Sequence, residues 1–190
     1  MNRREEEQKI YQDIYDTEGS EYGTGTHGNG AYLFVAKHFK PESILDVGCG
    51  KDNLFCSNIV KELDKFGVEH NIELLASCDF VKFPNSAGEG DVYYKDSIIQ
   101  ADAHNLFFAE DNEYDVITSF DMLEHILPED IDKVLDEFNR VAKKGFCFSI
   151  AYHQVKSGLH RIIQPEEWWM EKLSKYGKVG QYMKYIYVTK

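Results

Sequence analysis

The sequence predicts an α/β domain with a doubly wound, mostly parallel sheet and helices on both faces. Three observations carry this expectation. Short apolar strands alternate with amphipathic helices from residue 41 onward, the order that parallel β-α-β units require. A Gly-x-Gly turn, Gly48-Cys49-Gly50, follows the first strand and precedes a helix. Carboxylates (Asp79, Asp102, Asp121) recur just where later strands give way to loops, the edge of such sheets at which ligands bind.

Each element follows from its local pattern. Ile10, Tyr11, Ile14 and Tyr15 stand at helical spacing in a charged background, so residues 4 to 16 read as an amphipathic helix. Gly19, Gly23, Gly25, Gly28 and Gly30, interspersed with Ser, Thr and Asn, form a loop. Ala31 to Phe39 is a short apolar helix stopped by Pro41. Ser43 to Val47 is the first strand, and Asn53 to Lys65 the helix after the glycine turn. Ile72 to Cys78, Ser97 to Gln100 and Tyr114 to Ser119 are the next strands.

Pro128 opens a helix with Ile131, Val134, Leu135, Phe138, Val141 and Ala142 on one face. Lys143 and Lys144 suit its negative end and Gly145 closes it. Gly145 to Ala151 is a strand, and Pro165 with Glu166 and Glu167 starts a helix ending near Gly177. Adjacent helical residues point about 100° apart, so one of Trp168 and Trp169 belongs to the core and the other to the surface. A short strand at Lys178 to Gly180 and β-rich sequence from Tyr182 to Thr189 complete the chain.

Bulk properties narrow the function classes. At 190 residues, 43% hydrophobic and 28% charged, the chain fits one globular domain. Residues 1–40 form N-terminal helices and a glycine-rich lid within that domain, and 41–190 its ligand-binding core. The four cysteines have no Cys-x-x-Cys spacing, so buried thiols are expected rather than a zinc ribbon or disulfide framework. No stretch is a spanning helix, and Met1 to Glu7 lacks the apolar run of a secretory leader, so a cytoplasmic location and no membrane partner are expected. A net charge of −12 disfavours nucleic acid as a partner.

The chemistry-bearing motif is Ile44-Leu45-Asp46-Val47-Gly48-Cys49-Gly50. Glycines there let a ligand approach the backbone with no Cβ in the way. A dinucleotide fingerprint wants a third glycine three positions on, where this chain has Asn53. The segment resembles the first motif of class I (Rossmann-like) S-adenosylmethionine-dependent methyltransferases, a likeness that runs from about Tyr11 to Lys190 and is densest from Ile44 to Ile126. It implies an enzyme that transfers a methyl group from S-adenosylmethionine (SAM) to a small-molecule or modest-sized polar acceptor, leaving S-adenosylhomocysteine (SAH).

The same resemblance implies the site. Gly48, Cys49 and Gly50 would pack on the methionine and ribose portion, with Asp46 supporting the turn. Asp79 would accept from the ribose hydroxyls, although it lies 33 positions after Asp46 where ~20 is usual. Asp102 and the Ala103 N–H would meet the adenine. Phe120 and Asp121 would lie beside the sulfur, in a segment whose Leu123-Glu124-His125 resembles a family motif. Tyr11, Tyr15 and Tyr22 would close over the cofactor. His153 and His160 are the candidate general bases.

No metal is expected: Glu124 and His125 are adjacent, and the sequence offers no third ligand at metal spacing. Two rivals remain. A nucleic-acid base methyltransferase would resemble relatives with an Asn/Asp-Pro-Pro-aromatic motif, where this chain has Phe120-Asp121-Met122-Leu123, or with a Pro-Cys nucleophile, which it lacks. A non-catalytic SAM-binding partner subunit would share every motif. Oligomeric state is not encoded in these motifs.

Overall fold

A computed structural model of the chain describes residues 2–17, 30–83, 86–87 and 98–190. Among these, eight strands make one sheet: β1 (Ser43–Val47), β2 (Leu74–Asp79), β3 (Ser86–Ala87), β4 (Ile98–Gln100), β5 (Tyr114–Phe120), β6 (Ala142–Ser149), β7 (Lys178–Tyr182) and β8 (Tyr185–Thr189). Their order is β3-β4-β2-β1-β5-β6-β8-β7. β1 pairs parallel with both β2 and β5, and β8 is the reversed strand, antiparallel to both β6 and β7. β3 lies in a stretch that reads as loop, since two residues carry no periodicity.

Helices cover both faces, and strand alternation explains how. Ile44, Val116 and Cys147 face α2 (Tyr32–Phe39) and α3 (Leu54–Lys65) in one core, whereas Leu45, Ile117, Phe146 and Phe148 face α4 (Ile131–Val141) and α5 (Glu166–Leu173) in the other. Trp169 is wholly buried and Trp168 only partly, the division expected of adjacent helical positions. All four cysteines are buried and free. No helix among the described residues is long and apolar enough to cross a membrane.

The N-terminal helix α1 (Arg3–Asp16) is fixed by a capping box: the Asn2 side chain accepts from the Glu5 N–H at 3.0 Å, and the Glu5 carboxylate accepts from the Asn2 N–H at 2.8 Å. None of its residues is fully buried, and Ile10 is 39% exposed. Tyr11 and Tyr15 pack against the cluster of Cys49, Val81, Phe83 and Ile98, and the remaining contacts with the body are polar. Gln8 and Gln12 donate to the carbonyls of Phe80 and Lys82, and Arg161 holds Glu7 through two bonds of 2.8 and 2.9 Å. Of the four residues expected on the apolar face, Tyr11 and Tyr15 do pack on the body, whereas Ile10 faces solvent.

A second correction lies between α4 and β6. The helix stops at Val141 and the strand begins at Ala142 with no loop between them. Lys143 and Lys144 thus belong to the strand rather than to the helix end. Lys144 pairs with Asp115 at 2.8 Å, and that carboxylate also accepts from the Glu42 N–H at 2.7 Å. Gly145 does not close the helix. It sits inside β6 at φ +151°, where a Cβ would lie 1.9 Å from the Val188 carbonyl oxygen.

Gly145→Ala should accordingly cost at least about 2–3 kcal/mol, combining backbone strain with a disrupted β6–β8 ladder. Urea unfolding monitored by tryptophan fluorescence measures the loss, and an unchanged midpoint would show that the sheet absorbs the methyl group.

Candidate active site

A cavity of about 390 Å³ opens at the carboxyl ends of the parallel strands. It lies where the strand order reverses, β2 on one side of β1 and β5 on the other, as the rule for open α/β sheets requires. Its volume falls in the range of small-molecule sites.

The glycine turn forms one wall. Gly48 and Gly50 adopt φ of +75° and +68° and line the cavity. Beyond the strain, a Cβ on Gly48 would fall 2.4 Å from Met122 Cγ, so this glycine answers to its own protein as well as to a ligand. Asn53, at the position where a dinucleotide fingerprint has glycine, adopts φ +44°, a conformation Asn tolerates. Its side-chain oxygen accepts from Ser77 Oγ. Cys49 and Asp46 do not line the cavity. Cys49 is buried in the turn, and Asp46 lies beneath it, accepting from Thr118 Oγ1 at 2.7 Å.

Asp79 ends β2 and faces the cavity. Its carboxylate accepts from the Gly50 N–H at 2.9 Å and the Val81 N–H at 3.0 Å, so it ties the turn to the segment after β2. Burial raises its pKa to about 6 against those bonds. Each carboxylate oxygen retains capacity for a further donor.

Asp102 and Ala103 line the cavity beyond β4. Asp102 accepts from both the ring Nδ1 and the backbone N–H of His104, with Arg4 of α1 3.8 Å away. Burial raises its pKa, but His104 and Arg4 outweigh it and hold the carboxyl below its usual range. Arg4 also pairs with Asp130 at 3.3 Å, and His104 Nε2 lies 3.5 Å from the same carboxylate. This network fastens α1 across the opening. Arg4, Glu7, Tyr11 and Tyr15 all line the cavity, at spacings of 3, 4 and 4 residues along one helical face. Tyr11 and Tyr15 of this stripe were expected over the cofactor, but Arg4 and Glu7 were missed, because a reading tuned to apolar periodicity passes over charged positions. Tyr22 and Gly19 to Gly28 of the expected lid lie outside the described residues.

Phe120 and Asp121 both line the cavity at the end of β5. Asp121 adopts φ +50°, unusual for a residue with a side chain. Two bonds to Ser149 hold it there, Asp121 N–H to the carbonyl at 2.9 Å and Ser149 Oγ to Asp121 Oδ1 at 2.8 Å.

The far end contains His125, His153 and His160, with ring centroids of His160 4.8 Å from His125 and 5.5 Å from His153. His153 is exposed at the mouth, whereas His160 is buried and donates from Nδ1 to the His153 carbonyl. His125 Nδ1 lies 3.1 Å from both the Leu159 carbonyl oxygen and the Tyr11 hydroxyl. Burial lowers the His125 pKa to about 4. Glu124 is fully buried, with Oε1 accepting from the Ala151 N–H at 3.0 Å, and burial lifts its pKa to about 8.

The profile of the methyltransferase domain family matches residues 29–184. The chain belongs to that family. Solved structures share this methyltransferase fold at low identity. Magnesium protoporphyrin IX methyltransferase from Synechocystis PCC 6803, crystallised with SAM, superposes with a TM-score of 0.60 at 15% identity, covering 97% of both chains. The 1,6-didemethyltoxoflavin-N1-methyltransferase of Burkholderia thailandensis, with its toxoflavin and SAH bound, gives 0.56 at 12%, covering 98% of this chain and 85% of its own. N-methyltransferase NodS from Bradyrhizobium japonicum WM9, with SAH, gives 0.56 at 10% and 96% of each chain. No curated protein sequence matches the chain.

The buried Asp46 makes a pH prediction. Burial raises its pKa from 3.8 to about 7, so the folded state holds a proton the unfolded chain has released. Its stabilising effect is complete below pH ~4 and is lost as pH rises through 7. Asp46→Asn keeps an acceptor for Thr118 and does not ionise. The variant's stability relative to the native chain should therefore rise from pH 4.5 to about 7 and level off above it. Parallel urea midpoints across that range would show that Asp46 ionises without cost.

Proposed function

We propose that the chain is a SAM-dependent methyltransferase that methylates a small molecule. The carrying observation is the cavity itself: the Gly48-x-Gly50 turn, the Asp79 carboxylate and the Asp102–Ala103 corner converge on one crevice at the switch point of a methyltransferase-family fold. The residues suit the cofactor. Asp79 faces the crevice with acceptor capacity for ribose hydroxyls, while Val81, Ala101 and Ala103 supply apolar surface for a flat base. When bound, SAM supplies an already electrophilic methyl group.

What the protein must add is position and dryness. The helix α1, with Tyr11 and Tyr15 over the crevice, restricts water. Phe120 and Asp121 border the region toward the histidines. His153, exposed at the mouth, is the base for an acceptor that releases a proton, because its ring meets solvent and can pass the proton on. His160 is less suited to that role, being buried with Nδ1 committed to a carbonyl.

The small-molecule acceptor is supported by the size of the cavity, about 390 Å³, and by the net charge of −12, which opposes a nucleic acid. Two of the neighbours named above are methyltransferases of small molecules, magnesium protoporphyrin IX and 1,6-didemethyltoxoflavin. A non-catalytic SAM-binding subunit would share the fold and would differ in turnover alone.

Calorimetry should give a micromolar dissociation constant for SAH, on the order of −8 kcal/mol. Asp79→Ala should weaken it by about 1.5–3 kcal/mol, the worth of hydrogen bonds to a charged group. Circular dichroism checks that this variant folds. Absence of SAM and SAH binding in the native chain would overturn the reading, and an unaltered affinity in Asp79→Ala would move the ribose contact elsewhere. A screen of metabolite pools with methyl-labelled SAM then separates enzyme from partner subunit.

A further inference from the structure

We infer that Glu124, His125 and His160 form a binding site for one divalent transition-metal ion, with open coordination positions facing the cavity. One ligand-capable atom from each residue lies within 4.8 Å of the others. All three residues line the same crevice. Metal bonds of ~2.0–2.2 Å bring tetrahedral ligands to roughly 3.4 Å apart, so side-chain adjustments of about 1 Å complete the cluster.

The surroundings of each ligand point the same way. Glu124 is fully buried in the cavity wall, and its Oε2 has no hydrogen-bond partner among the described residues. A buried carboxyl oxygen without a hydrogen-bond partner is costly, and a cation that displaces the proton supplies the missing interaction. The other oxygen is held by the Ala151 N–H, and the Glu124 carbonyl accepts from Arg161 N and Ile162 N at 2.6 and 3.0 Å. The glutamate thus anchors the segment that delivers His160.

Both imidazoles are oriented as metal ligands are. His160 Nδ1 faces the His153 carbonyl, and His125 Nδ1 faces the Leu159 carbonyl. A carbonyl only accepts, so His160 Nδ1 carries the proton and its Nε2 the lone pair; at His125 the Tyr11 hydroxyl shares Nδ1 with the Leu159 carbonyl, and the tautomer that donates to that carbonyl leaves Nε2 for the metal. A backbone carbonyl on the second nitrogen is the usual outer-shell partner of a ligating histidine. Two imidazoles and one carboxylate favour Zn²⁺, Co²⁺, Fe²⁺ or Mn²⁺ over the harder Mg²⁺ and Ca²⁺. Three protein ligands leave positions for water or for an oxygen of a bound molecule.

Those open positions face the cavity assigned above to the methyl acceptor, so the metal would hold an acceptor bearing a hydroxyl or carboxylate oxygen. That last assignment rests on the methyltransferase reading, whereas the metal site itself does not.

The test uses Co²⁺ as probe on the metal-stripped full chain, without SAM or acceptor. The native protein should bind one equivalent with visible d–d absorption, and Zn²⁺ should bleach it. His160→Gln and Glu124→Gln should each weaken Co²⁺ binding by at least tenfold to a hundredfold while SAH calorimetry shows both variants folded. Should Glu124→Gln fail to fold, His160→Gln with His125→Gln carries the test. Native protein that binds SAH but no stoichiometric Co²⁺, or variants that bind Co²⁺ like the native chain, would overturn the metal site and leave the methyltransferase reading intact. Co²⁺ binding without SAH binding would do the reverse.

Discussion

Where β1 lies between β2 and β5, the chain leaves two adjacent parallel strands in opposite directions, and a crevice opens that no backbone fills. Everything else about the site depends on keeping that crevice open with its rim ordered. Short polar side chains do this at the strand ends. Asp79 bonds the Gly50 and Val81 N–H groups, Ser119 Oγ donates to the Val47 carbonyl at 2.8 Å, and Ser149 holds Asp121. Asp79 and Ser119 supply partners for backbone groups that the ending ladder leaves unpaired, and the Ser149 hydroxyl donates to the Asp121 carboxylate. Each also leaves the space above it clear, because none of these side chains is long.

The parts of this architecture that were legible in the sequence are those whose cause is local. The glycine turn needs positive φ at Gly48 and Gly50, and strand alternation sorts Ile44 from Leu45 and Val116 from Ile117 between the two cores. Asp79, Asp102, Phe120 and Asp121 were placed by their position after strands, and all four line the cavity. The boundary between α4 and β6 was misread because Lys143, Lys144 and Gly145 satisfy the rules for a helix end. Tertiary pairing with Asp115 and the close approach of β8 account for them instead.

Other features depend on contacts between distant segments. The cavity-facing side of α1 mixes Arg4 and Glu7 with two tyrosines, and no apolar moment identifies it. Its meaning comes from Asp130 and Arg161, far along the chain. His160 stands 35 positions after His125, and no spacing rule joins them. They meet because the Glu124 carbonyl receives Arg161 N and Ile162 N.

Three buried carboxylates of the region, Asp46, Asp79 and Glu124, differ in how their burial is offset, and the difference separates scaffold from chemistry. Asp46 sits beneath the turn with the Thr118 hydroxyl and does not reach the cavity. Its role is closed within the protein. Asp79 is held by two backbone N–H groups yet still faces the crevice, so it both shapes the turn and presents acceptor capacity to a ligand. Glu124 has one oxygen held by Ala151 and the other with no hydrogen-bond partner among the described residues, despite complete burial. A protein that has satisfied two buried acids and left half of the third unmatched, between two oriented imidazoles, has left the remaining interaction to something that binds there.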